Sequence, residues 1–165
     1  GQIAAENVQP FASNRLVLII PRNHQRAISS LHDLTQPGLK LVTAAKEVPI
    51  GRYTREALKK MEQSGQFQAG FEQAVLANIV SAEANVRQMV TKVQLGEADA
   101  AIVYQSDVTA DLDAIPIPAA LNIAAHYPIA PLDDAPHQSQ AAHFIAFIQS
   151  PDGQAILQKW GFVSP

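Results

Sequence analysis

The chain has 165 residues, 47% of them hydrophobic and 16% charged, with a formal net charge of -3 and no cysteine. A chain of that length and composition can bury the core of one domain, or of one large domain with an appendage, and is not a disordered tail. The charge balance offers no basic field to a nucleic acid or an anionic membrane, and the missing cysteines exclude disulfides, thiolate metal sites and thiol nucleophiles.

No apolar run is long enough to cross a bilayer, and the opening Gly1-Gln2-Ile3-Ala4-Ala5-Glu6 has no basic stretch leading into an apolar one. Neither a transmembrane span nor an attached signal peptide is therefore expected, and export stays open because a mature chain would have lost its signal. The first strong element is the run Leu16-Val17-Leu18-Ile19-Ile20, closed by Pro21, which reads as a strand buried on both faces. A short helical turn over 30–34 ends at Pro37-Gly38, and a second strand follows over 39–44. After a loop over 46–51, the spacing of Tyr53, Ala57, Leu58 and Met61 predicts an amphipathic helix.

Residues 71–79 have no assignable period. Val86, Met89, Val90 and Val93 recur at helical spacing, with Asn85 or Ser81 as N-cap and Gly96 as the C-terminal glycine. Ala100 to Tyr104 reads as a buried strand, and 115–117 as a short one interrupted by prolines. The alternation of strands and helices argues for an α/β layered sheet. Beyond Ala119, residues 122–130 look extended, and two helices are expected over 141–149 and 151–160, with Pro151 at a first helical position and Gly161 as stop.

Three spots have the residues of a binding site. In Glu47-Val48-Pro49-Ile50-Gly51-Arg52-Tyr53, Gly51 admits close backbone approach and the amides from Ile50 onward open a helix, where unpaired N–H groups and the helix dipole favour an anion. The plainer reading of the same spacing is an ordinary strand-to-helix connection. In Ala84-Asn85-Val86-Arg87, Val86 is either an amide donor at a helix start or a core-facing valine. Tyr104, at the carboxyl end of a buried strand, either aims its hydroxyl into the crevice outside the sheet or packs at the rim.

Enzyme readings have less support. The histidines His24, His32, His126, His137 and His143 include no pair at i, i+4, and Asp133-Asp134 before His137 lies in a proline-rich loop. There is no Gly-x-Ser-x-Gly elbow, P-loop or Gly-x-Gly-x-x-Gly fingerprint. A small hydrolase using Ser106 remains only as the enzyme-class alternative.

In four motifs, in order, the sequence resembles the periplasmic molybdate-binding proteins of ABC importers: Phe11-Ala12-Ser13-Asn14-Arg15 running into the apolar strand and Pro21; Val48-Pro49-Ile50-Gly51-Arg52-Tyr53; Asn85-Val86-Arg87; and residues 96–107, from Gly96 to Tyr104-Gln105-Ser106-Asp107. The likeness continues through Pro151-Asp152-Gly153-Gln154 and Trp160-Gly161-Phe162. It implies a type 2 periplasmic-binding-protein fold, with a mixed sheet flanked by helices in one lobe and a C-terminal portion of a second. It implies no enzyme activity, no cofactor and no metal held by direct protein ligation. The implied ligand is molybdate or tungstate, taken in an interlobe cleft with backbone amides of Ile50 and Val86, close approach at Gly51, and the Tyr104 hydroxyl. The implied partner is a membrane permease, and the implied location is periplasmic or extracytoplasmic.

The family's usual alanine before the glycine is here Ile50, which an amide donor tolerates, and residues 61–81 look like a surface insertion. Family members begin with a first-lobe segment carrying serine-bearing loops, which nothing here matches. The expected organisation is a lead-in over 1–12, a complete lobe over 13–118 and part of the other lobe over 119–165. Ile123, Phe144, Ile145, Phe147, Ile148, Ile156, Leu157 and Trp160 would then present apolar surface that invites dimerisation. The alternative function is the effector-sensing domain of a transcription regulator with the same fold.

Overall fold

The computed structural model describes residues 3–23 and 27–165, which leaves His24 outside the described residues. The chain divides into two units, residues 16–123 and residues 1–15 with 124–165.

The larger unit is built on a five-stranded sheet. Its strands are β2 (Leu16–Pro21), β3 (Leu41–Ala44), β4 (Ile79–Glu83), β5 (Ala100–Tyr104) and β6 (Leu112–Pro116), in the order β4-β3-β5-β2-β6. β3 runs parallel to both β4 and β5, while β2 is antiparallel to β5 and β6, so the sheet is mixed. The apolar run beginning at Leu16 is the strand expected: Leu16 through Ile20 are all buried, because helices cover the sheet that holds β2. Helix α1 (Pro49–Gln63) starts four residues before the periodicity of Tyr53 announces it, since Pro49 at the first helical position needs no N–H partner and presets φ. The loop expected over 46–51 thus already holds the first turn of α1.

The stretch without a period resolves into helix α2 (Phe71–Ala77) running almost directly into β4. Phe71 and Val75 are buried in the core and β4 forms the sheet edge against β3, so residues 61–81 are part of the fold and not a surface insertion. Asn78, between α2 and β4, donates from its amide to the carbonyls of Leu34 and Gln36, each at 2.9 Å, and fixes that junction. Helix α3 (Val86–Gln94) is capped by Asn85, whose side chain accepts the Gln88 N–H at 3.0 Å, which settles the choice of cap. Gly96 closes it at φ 70°. The unit's two ends meet at Asn122, whose Oδ1 accepts the Leu16 N–H at 2.9 Å while its Nδ2 donates to the Leu16 carbonyl at 2.8 Å.

The smaller unit pairs β1 (Gln9–Asn14) antiparallel with β7 (Ala125–Ile129) and adds helices α4 (Gln138–Gln149) and α5 (Pro151–Lys159). Ser13 and Val163 exchange backbone hydrogen bonds of 2.7 and 2.8 Å, extending this ribbon by one bridge. Its interior is small: Tyr127 meets Phe11 and Phe162 at ring distances of 6.3 and 5.7 Å, beside buried Ala12, Ala125 and Ile145. Gly153 is required where α5 turns back on α4, because a Cβ there would overlap the carbonyls of Phe147 and Ile148. Of the apolar residues expected at this unit's surface, Phe144, Phe147, Ile156 and Trp160 are exposed, Ile148 and Leu157 half-buried, and Ile145 buried. Ile123 packs instead against the core of the larger unit.

Candidate functional site

The parallel strands place the three sequence-predicted spots at one edge. β3, β4 and β5 are adjacent and point the same way, so the turn into α1, the turn into α3 and Tyr104 all lie outside their carboxyl ends. The Ala45 N–H donates to the Glu83 carbonyl at 2.9 Å, which ties the end of β3 to the end of β4. In open α/β sheets this edge is where ligands lie.

In the first turn of α1, the N–H groups of Gly51 and Arg52 both donate to the Val48 carbonyl, at 3.0 and 3.2 Å. The Ile50 amide has no acceptor among the described residues, while its side chain is buried in the core. The same residue therefore anchors the helix by its side chain and leaves its N–H unused by the described residues. Gly51 acts through what it lacks. A Cβ at that position would overlap the carbonyl oxygens of Ala44 and Ala45, so only glycine lets the helix start this close to the strand end.

At α3 the Gln88 side chain accepts the Ala84 N–H at 3.2 Å and its backbone N–H goes to Asn85, a reciprocal cap. The amides of Val86 and Arg87 are left without an acceptor among the described residues. Behind this turn, Lys92 reaches Glu83 at 2.6 Å and the Ser81 hydroxyl at 3.1 Å, which holds α3 to edge strand β4 and lowers the Glu83 pKa. Tyr104 is half-buried at the end of β5. The guanidinium of Arg52 lies 5.4 Å from the centre of the Tyr53 ring.

One residue of the Tyr104-Gln105-Ser106-Asp107 motif was given no role from sequence. Asp107, in the single 3-10 turn after Tyr104, has a buried Oδ2 with no hydrogen-bond partner. Burial raises its pKa, against the opposing effects of a backbone hydrogen bond at Tyr104 and the charge of Arg87. Its partial burial is a tertiary property with no local sequence signal. Among the described residues, no three histidine, aspartate or glutamate side chains gather to hold a metal ion, and no helix is long and apolar enough to cross a membrane.

Beside the Asp107 carboxylate, what this edge offers chemically is hydrogen-bond donors. Two helix starts and a tyrosine provide neutral, fixed dipoles suited to an anion that has no proton of its own.

The family model for bacterial extracellular solute-binding protein matches residues 1–163. The molybdate-binding protein ModA of Mycobacterium bovis is 32% identical over 158 residues, covering 94% of this chain and 56% of its own. A putative ABC transporter substrate-binding lipoprotein of Bacillus subtilis, YvgL, is 26% identical over 168 residues, with 99% and 61% covered. The chain thus spans little more than half the length of these relatives.

Among solved structures, the substrate-binding domain of a putative molybdenum ABC transporter from Clostridium difficile has a TM-score of 0.79 at 23% identity, covering 99% of this chain and 69% of its own. The periplasmic molybdate-binding protein of Azotobacter vinelandii has a TM-score of 0.69 at 18% identity, with 99% and 70% covered. The mixed sheet flanked by helices is the type 2 periplasmic-binding-protein fold of these neighbours. The relatives are solute-binding proteins and not enzymes.

Proposed function

The chain belongs to the bacterial extracellular solute-binding protein family, and from that premise we propose that it is part of the substrate-binding component of an ABC importer for molybdate or tungstate. The carrying observation is that Ile50, Val86 and Tyr104 share one sheet edge, with two of the three presenting amides that have no acceptor in the described chain. In this reading the Ile50 and Val86 N–H groups and the Tyr104 hydroxyl bind the oxygens of a tetrahedral dianion. Gly51 sets the depth of the first donor turn. These donors favour the fully ionised anion, since a protonated one would turn an O–H toward another N–H. Size then separates molybdate and tungstate from the smaller sulfate.

In this reading the unit over residues 16–123 is one lobe, and the smaller unit is part of another. In this reading the remaining donors belong to the portion of the relatives' length that this chain, which covers 56% of the Mycobacterium bovis protein, does not span. Each charge-assisted hydrogen bond contributes on the order of 1.5–3 kcal/mol, so the 165-residue chain binds weakly and a form extended to the relatives' length binds tightly. The protein works outside the cytoplasm and delivers its anion to a membrane permease. The exposed Phe144, Phe147, Ile156 and Trp160 make the chain, as it stands, self-associate.

Isothermal titration with molybdate, tungstate and sulfate, on this chain and on the extended form, tests the reading. Tight molybdate or tungstate binding by the extended form, with sulfate rejected, is the expected result. If neither form binds any of the three, the transport reading falls. Self-association is read from light scattering, where Phe144→Asp with Trp160→Glu shifts the chain to monomer.

A further inference from the structure

Beneath α1, beyond its first turn, is a polar feature that the anion site does not use. A cavity of about 20 Å³ lies between α1 and the sheet, lined by apolar side chains such as Leu18, Leu58 and Ile102 together with Thr43 of β3 and Thr54 of α1. Thr43 is 2% exposed and Thr54 5%, and the hydroxyl of each is buried without a hydrogen-bond partner among the described residues. A helical threonine ordinarily bonds back to the carbonyl one turn earlier, and Thr54 does not. Two unpaired hydroxyls on one small cavity cost stability unless a third group joins them.

We infer that Thr43 and Thr54 form a built-in site for a single water molecule, which bridges their hydroxyls and sets the depth at which α1 seats on the sheet. The volume suits this ligand, since a water needs roughly 10–15 Å³ of such space. No charged side chain lines the cavity, which disfavours an ion. Each hydroxyl both donates and accepts, so the water gains a bond of suitable polarity to each. The placement gives the water a structural consequence. Thr54 is one turn beyond Ile50, and Thr43 directly precedes Ala44, whose carbonyl faces Gly51. The bridge therefore ties β3 to the helix turn that follows the one carrying the Ile50 amide. The inference stands whether or not that amide binds an anion, because its readouts are stability and water contact.

The test is a double-mutant cycle of Thr43→Val and Thr54→Val on the whole 165-residue chain, read as the denaturant midpoint. Each single variant lowers the midpoint, because it leaves the other hydroxyl and the water one partner short. The double variant falls less than the sum of the two, because it removes both hydroxyls together. A single variant that raises the midpoint overturns the inference, since that is the result of replacing an orphan hydroxyl by a methyl; strictly additive losses overturn it too. Should the variants not fold, magnetisation transfer from long-lived water to the Thr43 and Thr54 methyls in the unaltered chain decides. Transfer to both supports the bridge, and transfer to neither or to only one refutes it.

Discussion

Replacing Gly51 by alanine measures how closely α1 is pressed onto the end of β3. Within a helix, alanine is better than glycine by about 1 kcal/mol, so an unobstructed site would be stabilised by that amount. Here the added Cβ meets the carbonyl oxygens of Ala44 and Ala45, which are main chain and cannot swing aside as a flexible side chain would. Overpacking of this kind costs about 1–3 kcal/mol, with backbone obstacles at the upper end, and the helix preference offsets part of it. The net expectation is a loss of about 1–2 kcal/mol, or a fall in Tm of roughly 2–8 °C for a chain of this size. Thermal and urea unfolding followed by circular dichroism read it. Lys59→Ala against Lys59→Gly, at an exposed position of the same helix, calibrates the helix preference alone. If Gly51→Ala stabilises the chain by as much as that calibration, the close approach of helix to strand end is refuted.

Three further outcomes are expected. Tyr104→Phe removes one hydroxyl and weakens molybdate binding to the extended form by about 1–3 kcal/mol, seen by titration calorimetry; an unchanged affinity takes the hydroxyl out of the site. Asp33→Ala lowers the urea midpoint at neutral pH, because Asp33 Oδ2 accepts the N–H groups of Ser29 and Ser30 at 2.9 and 2.8 Å and both serine hydroxyls. Those bonds depress its pKa to about 2 from an ordinary 3.8, so its contribution is whole above pH 4 and fades as pH falls toward 2; midpoints of the two proteins that do not converge there would contradict the assignment. Lys92→Met costs about 0.5–1 kcal/mol and returns the Glu83 carboxyl toward its ordinary pKa, which an NMR titration of Glu83 follows.

How far the sequence revealed this architecture depends on how local each signal was. The strand from Leu16, the Asn85 cap, Gly96 and the strand ending at Tyr104 were legible because their determinants lie within a few residues: an unbroken apolar run, a capping side chain, a glycine at positive φ. β4 was not legible. A single residue separates it from α2, so helical and strand periods blur together, and as an edge strand it alternates only between half-buried and exposed. β1 was missed for another reason: it contains Pro10, its register slips after that residue, and its partner β7 lies more than a hundred residues along the chain. The site was legible as separate spots. That they share an edge depends on β3, β4 and β5 being parallel neighbours, a pairing set by tertiary packing and unavailable while β4 was unassigned.

Asn122 reaches Leu16 through both ends of its amide and also donates to the Ile117 carbonyl at 3.2 Å. Residues 16–123 are thereby a segment whose two ends are clasped together. Such a segment can be excised, or its old termini joined by a short linker and new ones opened at an exposed turn, with little loop-closure entropy to recover. The clasp makes the larger unit portable: it can be moved as a cassette, carrying the Ile50, Val86 and Tyr104 edge with it.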